Sequence, residues 1–228
     1  MIAPHETTRD AVVLFVCTAN RCRSPMAEGL MLAAARGRSA QVEVGSAGLQ
    51  PAGQPVDPKA IEAVSRHRVD LSGYRSRRLT VEELGRATLV LTMERRHVLA
   101  AVEMLPDVWP RCFTVKDFLV RSEQRGGRRS DEDVHAWVGR IHKDRRPTDA
   151  LSGGAVMDIA DPVGMSPRAF CRTAEELQAA TSTLADLLVG EPPRTDSAAA
   201  GVAQAVAHQR LAPRVTRGLD RRGGCRSA

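Results

Sequence analysis

Between residues 16 and 25 the chain reads VCTANRCRSP, with two cysteines, two arginines and no acid in ten positions. Cys17 and Arg23 are separated by five residues and Ser24 follows, a C-x5-R-S arrangement. A loop of that length can curl around a tetrahedral dianion. The amide N–H groups of Thr18, Ala19, Asn20, Arg21 and Cys22 then turn inward, and the Arg23 guanidinium closes the ring with a bidentate fork. The same field favours a thiolate at Cys17, because a cysteine beside a helix N-terminus and a guanidinium is stabilised in that form. A thiolate held beneath an anion cradle is a nucleophile suited to phosphorus. Ser24 is placed to hydrogen-bond that thiolate and help it leave in a second step.

The elements that must position this loop are legible in the flanking pattern. AVVLFVC (11–17) is a continuous β-branched apolar run, as in a strand buried on both faces of a parallel sheet. SPMAEGLMLAAARGR follows as a helix, with Ser24 expected as its cap, Pro25 at the first position and Gly37 ending it. QVEVGSAG, TLVLTM and RCFTV read as three further strands. DPKAIEAVSRHRV, TVEELGRA and ERRHVLAAVEML read as the helices between them. Strands alternating with helices imply a parallel sheet covered on both faces, with ligands at the carboxyl ends of the strands. From Lys116 to Gly154 two amphipathic helical pieces surround a Gly/Arg/Ser-rich break. SPRAFCRTAEELQAATSTLADLLVG then forms a long final helix, stopped by Gly190.

Bulk composition bounds the rest. The chain has 228 residues, 43% hydrophobic but only 3% aromatic, enough for one substantial domain with a core of Val, Leu, Ala, Met and Ile. Seven arginines against three acids between Glu191 and Ala228 account for +4 of the net +6. That segment, residues 191–228, reads as a basic mobile tail, and without interleaved aromatics or a nucleic-acid motif it does not indicate a nucleic-acid partner. Five cysteines (17, 22, 112, 171 and 225) form no disulfide framework. The N-terminus lacks a basic region before its apolar run, and no apolar stretch approaches a membrane span. The expectation is a cytoplasmic protein with reduced thiols and no membrane partner. His135 and His142 have no neighbouring cysteine, so neither a metal nor a cofactor is called for.

VCTANRCRSPMAEGL resembles the low-molecular-weight protein tyrosine phosphatases, whose N-terminal signature is close to V-C-x-G-N-x-C-R-S-P-x-A-E. The resemblance continues through SAGL, DPKAIEAVSRHRVDLSGYRSRRLTVEEL, LVLTMERRH and DIADPVG. It implies a three-layer α/β fold of the flavodoxin-like, phosphotyrosine phosphatase I kind, with a four-stranded parallel sheet. The domain would run from 11 to 190, after an arm of residues 1–10, with an inserted helical segment at about 118–153. That insertion reads as a solvated decoration. The resemblance further implies hydrolysis of phosphomonoesters, foremost protein phosphotyrosine, through a phosphocysteine at Cys17. Asp161, in Asp161-Pro162, would be the general acid and then the base; Asp158 is its nearest rival and reads as a turn residue.

By the same resemblance Asn20 holds the loop, Ser46 pins Asn20, and Cys22 pairs with Cys17 as a reversible redox guard. Glu94 stands where the family usually has Asp, either orienting Arg23 or capping a helix. Ala19 replaces the usual Gly, a source of strain only if that position needs positive φ. Arg21 replaces a common apolar residue. The aromatics that flank the cleft in phosphotyrosine-preferring members are replaced by Leu49, Val163 and Met165, leaving Tyr74 as the nearby aromatic. The expected partner is a phosphorylated protein or a small phosphomonoester. Arsenate reduction on the same scaffold is the first alternative, although LTMERRHVLAAVEML lacks the cysteines that reaction passes a disulfide through. A phosphate-binding adaptor is the second.

Overall fold

The computed structural model describes residues 11–38, 42–129, 131–150 and 154–190. The expected arm at 1–10, the basic tail from 191 and Cys225 lie outside these. Four strands form one parallel sheet: β1 (Ala11–Cys17), β2 (Val42–Gly48), β3 (Leu89–Thr92) and β4 (Cys112–Thr114), in the order β2-β1-β3-β4. Along β1 alternate side chains face opposite layers. Val13, Phe15 and Cys17 join one core, while Leu14 and Val16 join a second on the other face. The three-layer α/β architecture expected from the alternating pattern is the one observed.

The chain leaves β1 in one direction toward β2 and returns on β1's other side as β3. The carboxyl end of β1 is therefore the topological switch point, where open parallel sheets bind ligands. Helix α1 (Arg23–Arg36) starts there. The structure corrects one detail of its start: Cys22, not Ser24, is the cap, and Ser24 lies inside the first turn. The Ser24 hydroxyl is unavailable for capping because it is turned toward Cys17.

The intervening helices start with side chains that satisfy their free N–H groups. Asp57 caps α2 (Pro58–Ser65), and Thr80 with Glu83 forms a capping box on α3 (Val81–Arg86). Helix α4 (Arg95–Met104) receives its acceptor from elsewhere in the chain: Asp158 Oδ1 accepts from the Arg95 amide at 2.9 Å. Thr114 caps α5 (Val115–Arg125), Asp133 caps α6 (Val134–His142), and Pro167 opens α7 (Pro167–Val189), which ends at Gly190 with φ 82°. None of the described helices is long and apolar enough to cross a membrane.

The segment at about 118–153 is not a solvated decoration. Helix α6 buries Val134, Trp137, Val138 and Ile141, and Trp137 meets the Phe118 ring edge-on in the larger core. Arg145 is sandwiched between Trp109 and Phe113, its guanidinium 3.9 and 4.1 Å from their ring centroids, and donates to the Cys112 carbonyl at 2.7 Å. Burial brings its pKa down to about 10, with Asp117 opposing the shift. The aromatic-poor sequence spends most of its few large rings here, fastening the segment to β4.

Candidate active site

The loop from Cys17 to Arg23 is fixed from below by a buried polar network. Asn20 adopts φ 51°, a left-handed conformation that Asn tolerates better than most residues. Its Nδ2 donates to Ser24 Oγ at 2.9 Å and Ser46 Oγ at 2.8 Å, and its Oδ1 accepts from the Arg77 amide at 2.7 Å. Ala19, where positive φ would have meant strain, is not among the positive-φ residues. Strand β2 comes close underneath: a Cβ on Gly48 would sit 2.6 Å from the Asn20 nitrogen and 2.8 Å from the Ala19 carbonyl carbon. Only glycine fits there, which explains the last residue of the SAG turn.

Cys17 Sγ lies at the centre of this cradle. It accepts from the Asn20 amide at 3.2 Å and from Ser24 Oγ at 3.0 Å. Cys22 is buried as well, and burial, followed by the charges of Cys17 and Asp161, raises its thiol pKa far above the ordinary value. The cysteine pair of the loop is therefore enclosed rather than exposed.

Arg23 is 1% exposed although it carries a full charge. Its Nη1 donates to Glu94 at 2.5 Å and to the Ile159 carbonyl at 3.0 Å, and its Nη2 donates to Asp161 Oδ2 at 2.5 Å. Backbone ties bring these partners together: the Met93 amide donates to the Val16 carbonyl, and the Ile159 amide donates to the Met93 carbonyl. Glu94 therefore orients Arg23; it makes no side-chain cap bond to α4. Burial acts to raise the Glu94 pKa, but hydrogen bonds from Arg96 and Arg23 outweigh it and hold the carboxyl below its usual range.

Asp161 reaches the loop from outside, Oδ1 accepting from the Val163 amide at 3.2 Å. Beside it Val163 and Met165 are 59% and 50% exposed. Asp158, the rival acid, is occupied at the α4 start and with the Arg95 side chain. Arg21 points outward and donates to the Pro55 carbonyl at 2.9 Å.

Two participants, His97 and Arg96, carry no sequence assignment, and a third, Tyr74, acts differently from an aromatic of the cleft. Tyr74 is not a cleft wall; its hydroxyl lies 2.8 Å from Ser46 Oγ, 3.1 Å from Asn20 Oδ1 and 3.2 Å from Glu28 Oε2, beneath the loop. His97 is fully buried, its Nε2 3.0 Å from Thr18 Oγ1, and burial lowers its pKa to about 4. Arg96 donates to the same Thr18 hydroxyl at 3.1 Å and pairs with Glu94. The i, i+3 spacing of Glu94, at the cap of α4, and His97, in its first turn, is the available signal. The described residues contain no cluster of three or more potential metal ligands.

Residues 12–130, more than half of the chain, match the family described as Low molecular weight phosphotyrosine protein phosphatase. The chain belongs to that family. Among members, a probable low molecular weight protein-tyrosine-phosphatase, EpsP of Ralstonia solanacearum, is 34% identical over 141 residues, covering 57% of this chain and 94% of that one. The protein-arginine-phosphatase of Bacillus subtilis is 36% identical over 112 residues, covering 48% and 73%. A solved structure of the arginine phosphatase YwlE, a cysteine-to-serine mutant with a phosphorylated active-site serine, superposes with a TM-score of 0.60 at 27% identity. It covers 82% of this chain and 97% of that one. The chain is accordingly a phosphatase of the low molecular weight family, with its C-x5-R-S loop at the switch point of the family's fold.

Proposed function

We propose that the protein hydrolyses phosphomonoesters on proteins, foremost phosphotyrosine, through a phosphocysteine on Cys17 with Asp161 as general acid and base. The observation that carries this reading is the placement of Cys17 Sγ under donors from Asn20 and Ser24, within a loop closed by the Arg23 guanidinium. A phosphate dianion would accept from the loop amides and from Arg23, displacing the Asp161 carboxylate from Nη2. In the first step the Cys17 thiolate forms the S–P bond, the P–O bond to the leaving group breaks, and protonated Asp161 gives that oxygen its proton. In the second step Asp161 takes a proton from water, whose oxygen attacks phosphorus. The S–P bond breaks, inorganic phosphate leaves, and the Ser24 hydroxyl steadies the returning thiolate.

The mutant YwlE with its phosphorylated active-site serine supports covalent transfer at the nucleophile position. A second reading of the substrate, protein phosphoarginine, is favoured by the exposed aliphatic rim of Val163 and Met165, which offers no aromatic stacking surface, and by the similarity to arginine phosphatases. The test is hydrolysis of p-nitrophenyl phosphate by wild type and by Cys17→Ser, then a panel of phosphotyrosine and phosphoarginine peptides. Turnover by wild type and none by Cys17→Ser is expected; full activity in Cys17→Ser contradicts the mechanism. A higher kcat/KM on phosphoarginine peptides selects the second substrate.

A further inference from the structure

The charged groups around the phosphate loop divide into those already paired and those that are not. Glu94 is held by Arg23 and Arg96, Asp161 by Arg23, and Asp158 by Arg95. Glu28 faces Arg77 and the Tyr74 hydroxyl. Asp57 accepts from the Lys59 amide as the cap of α2, and Asp70 accepts from the Ser72 amide in a turn. Arg21 and Arg75, both exposed, have no acid in this accounting. Arg21 bonds only to the Pro55 carbonyl, and Arg75 only to the carbonyls of Ser72 and Tyr74.

These two arginines share one anchor. The Arg21 guanidinium is tied to Pro55, and its own carbonyl accepts from the Asp57 amide at 2.8 Å. Arg75 is bridged to Pro55 as an isolated antiparallel pair, and Ser76 continues the pairing to Gln54. The segment Gln54–Asp57 therefore ties both residues to one stretch of chain beside the phosphate loop. Resting both guanidiniums on carbonyls partly satisfies their donors and leaves their charge uncompensated. Arginine suits such a place because its planar fork recognises carboxylate or phosphate oxygens bidentately.

We propose that Arg21 and Arg75 form an anion subsite beside the phosphate loop. It takes an acidic side chain, a carboxylate or a second phosphoryl group, flanking the phosphorylated residue of a protein substrate. The proposal rests on the phosphatase reading above and adds the class of sequence that the enzyme selects. The anion lies on the same polypeptide as the scissile phosphate, so the subsite acts on KM more than on kcat.

The test compares two phosphopeptides differing only in flanking Asp/Glu or Ser/Gln, with p-nitrophenyl phosphate as the substrate without flanks. Wild type at low salt should favour the acidic peptide by about 5–10-fold in kcat/KM, the scale of two exposed charge pairs. The preference should fall toward one at ~0.5 M salt, where exposed charges are screened. Arg21→Gln with Arg75→Gln should bring the ratio near one, while Arg21→Lys with Arg75→Lys should keep part of it. The ratio is taken within one sample, so any change in folded fraction cancels. Equal kcat/KM for both peptides in wild type, or a preference that survives the double Gln variant, overturns the proposal. Inhibition of both peptides alike by a short oligonucleotide, abolished in the double variant, also overturns it, because the arginine pair would then be a general polyanion surface. Absence of p-nitrophenyl phosphate hydrolysis would instead overturn the underlying reading.

Discussion

The phosphate loop and the loop carrying Asp161 both bring chemistry to the same guanidinium, yet they are built in opposite ways. The first is enclosed: Cys17, Asn20, Arg23 and Ser24 are each at most 2% exposed, and Asn20 is held in a left-handed turn by four side-chain and backbone partners. The second is tied at its root by Ile159 on Met93 and Asp158 on Arg95, meets Arg23 through Asp161 and Lys59 through the Met165 carbonyl, and otherwise runs along the surface through exposed Asp161, Val163 and Met165. An anion cradle gains from pre-organisation, since donors already aimed at the developing charge need no reorganisation. A proton donor must follow the leaving group and then a water, so a carboxylate on an exposed loop suits it.

If this division is right, damage to the outer loop should depend on the substrate and damage to the inner loop should not. After the loss of turnover in Cys17→Ser, the largest expected effect is Asp161→Asn, which should lower turnover of poor leaving groups by ~10²–10⁴-fold. Far less should be lost in the first step with a good leaving group such as p-nitrophenolate; an equal loss on both would remove the distinction. Arg23→Lys, which keeps the charge but not the fork, should cost ~10²–10³-fold on every substrate, good or poor leaving group alike.

Gly48→Ala sharpens the inner side of the comparison. Its Cβ would press on the backbone of Asn20 and Ala19. A stability loss of about 1–3 kcal/mol by denaturant unfolding is expected from that overpacking, together with a fall in kcat on all substrates. Unchanged kcat would mean the loop tolerates displacement.

The smallest expected effect concerns pH. His97 has its folded pKa lowered to about 4 from an ordinary 6.5, so the unfolded chain binds the proton first. This contribution to stability is full above about pH 6.5 and is lost as pH falls toward 4. His97→Asn should flatten that part of a stability–pH profile, whereas an unaltered slope would assign it to other groups.

The same contrast explains what the sequence disclosed. The inner loop was readable because its chemistry needs contiguous residues at a fixed spacing, and its strand and helix carry plain periodicity. Four strands, their parallel sense and the helices around them followed from runs such as AVVLFVC and TLVLTM. Orienting Arg23 was one of the two readings open for Glu94, by resemblance, and it is the one observed; the supports of Thr18 were not readable, since His97 and Arg96 act across 79 and 78 positions of chain through contacts no local pattern records. Tyr74 shows the same limit: the sequence offers it as the nearby aromatic, while the part that joins the site is its hydroxyl, beneath the loop. Trp137 is the third case, as an amphipathic helix in an apparent insertion gives no sign of which core it joins.

The central claim is that Cys17 carries the phosphoryl group between the two steps. The direct measurement is peptide mapping by mass spectrometry of Asp161→Asn, acid-quenched during turnover of p-nitrophenyl phosphate. The good leaving group lets the first step proceed, while loss of the base slows the second. A phosphoryl group on the peptide containing Cys17, absent when Cys17 is also replaced, is the predicted result. Continued release of p-nitrophenol with no label on Cys17, or with the label on another residue, would contradict the account.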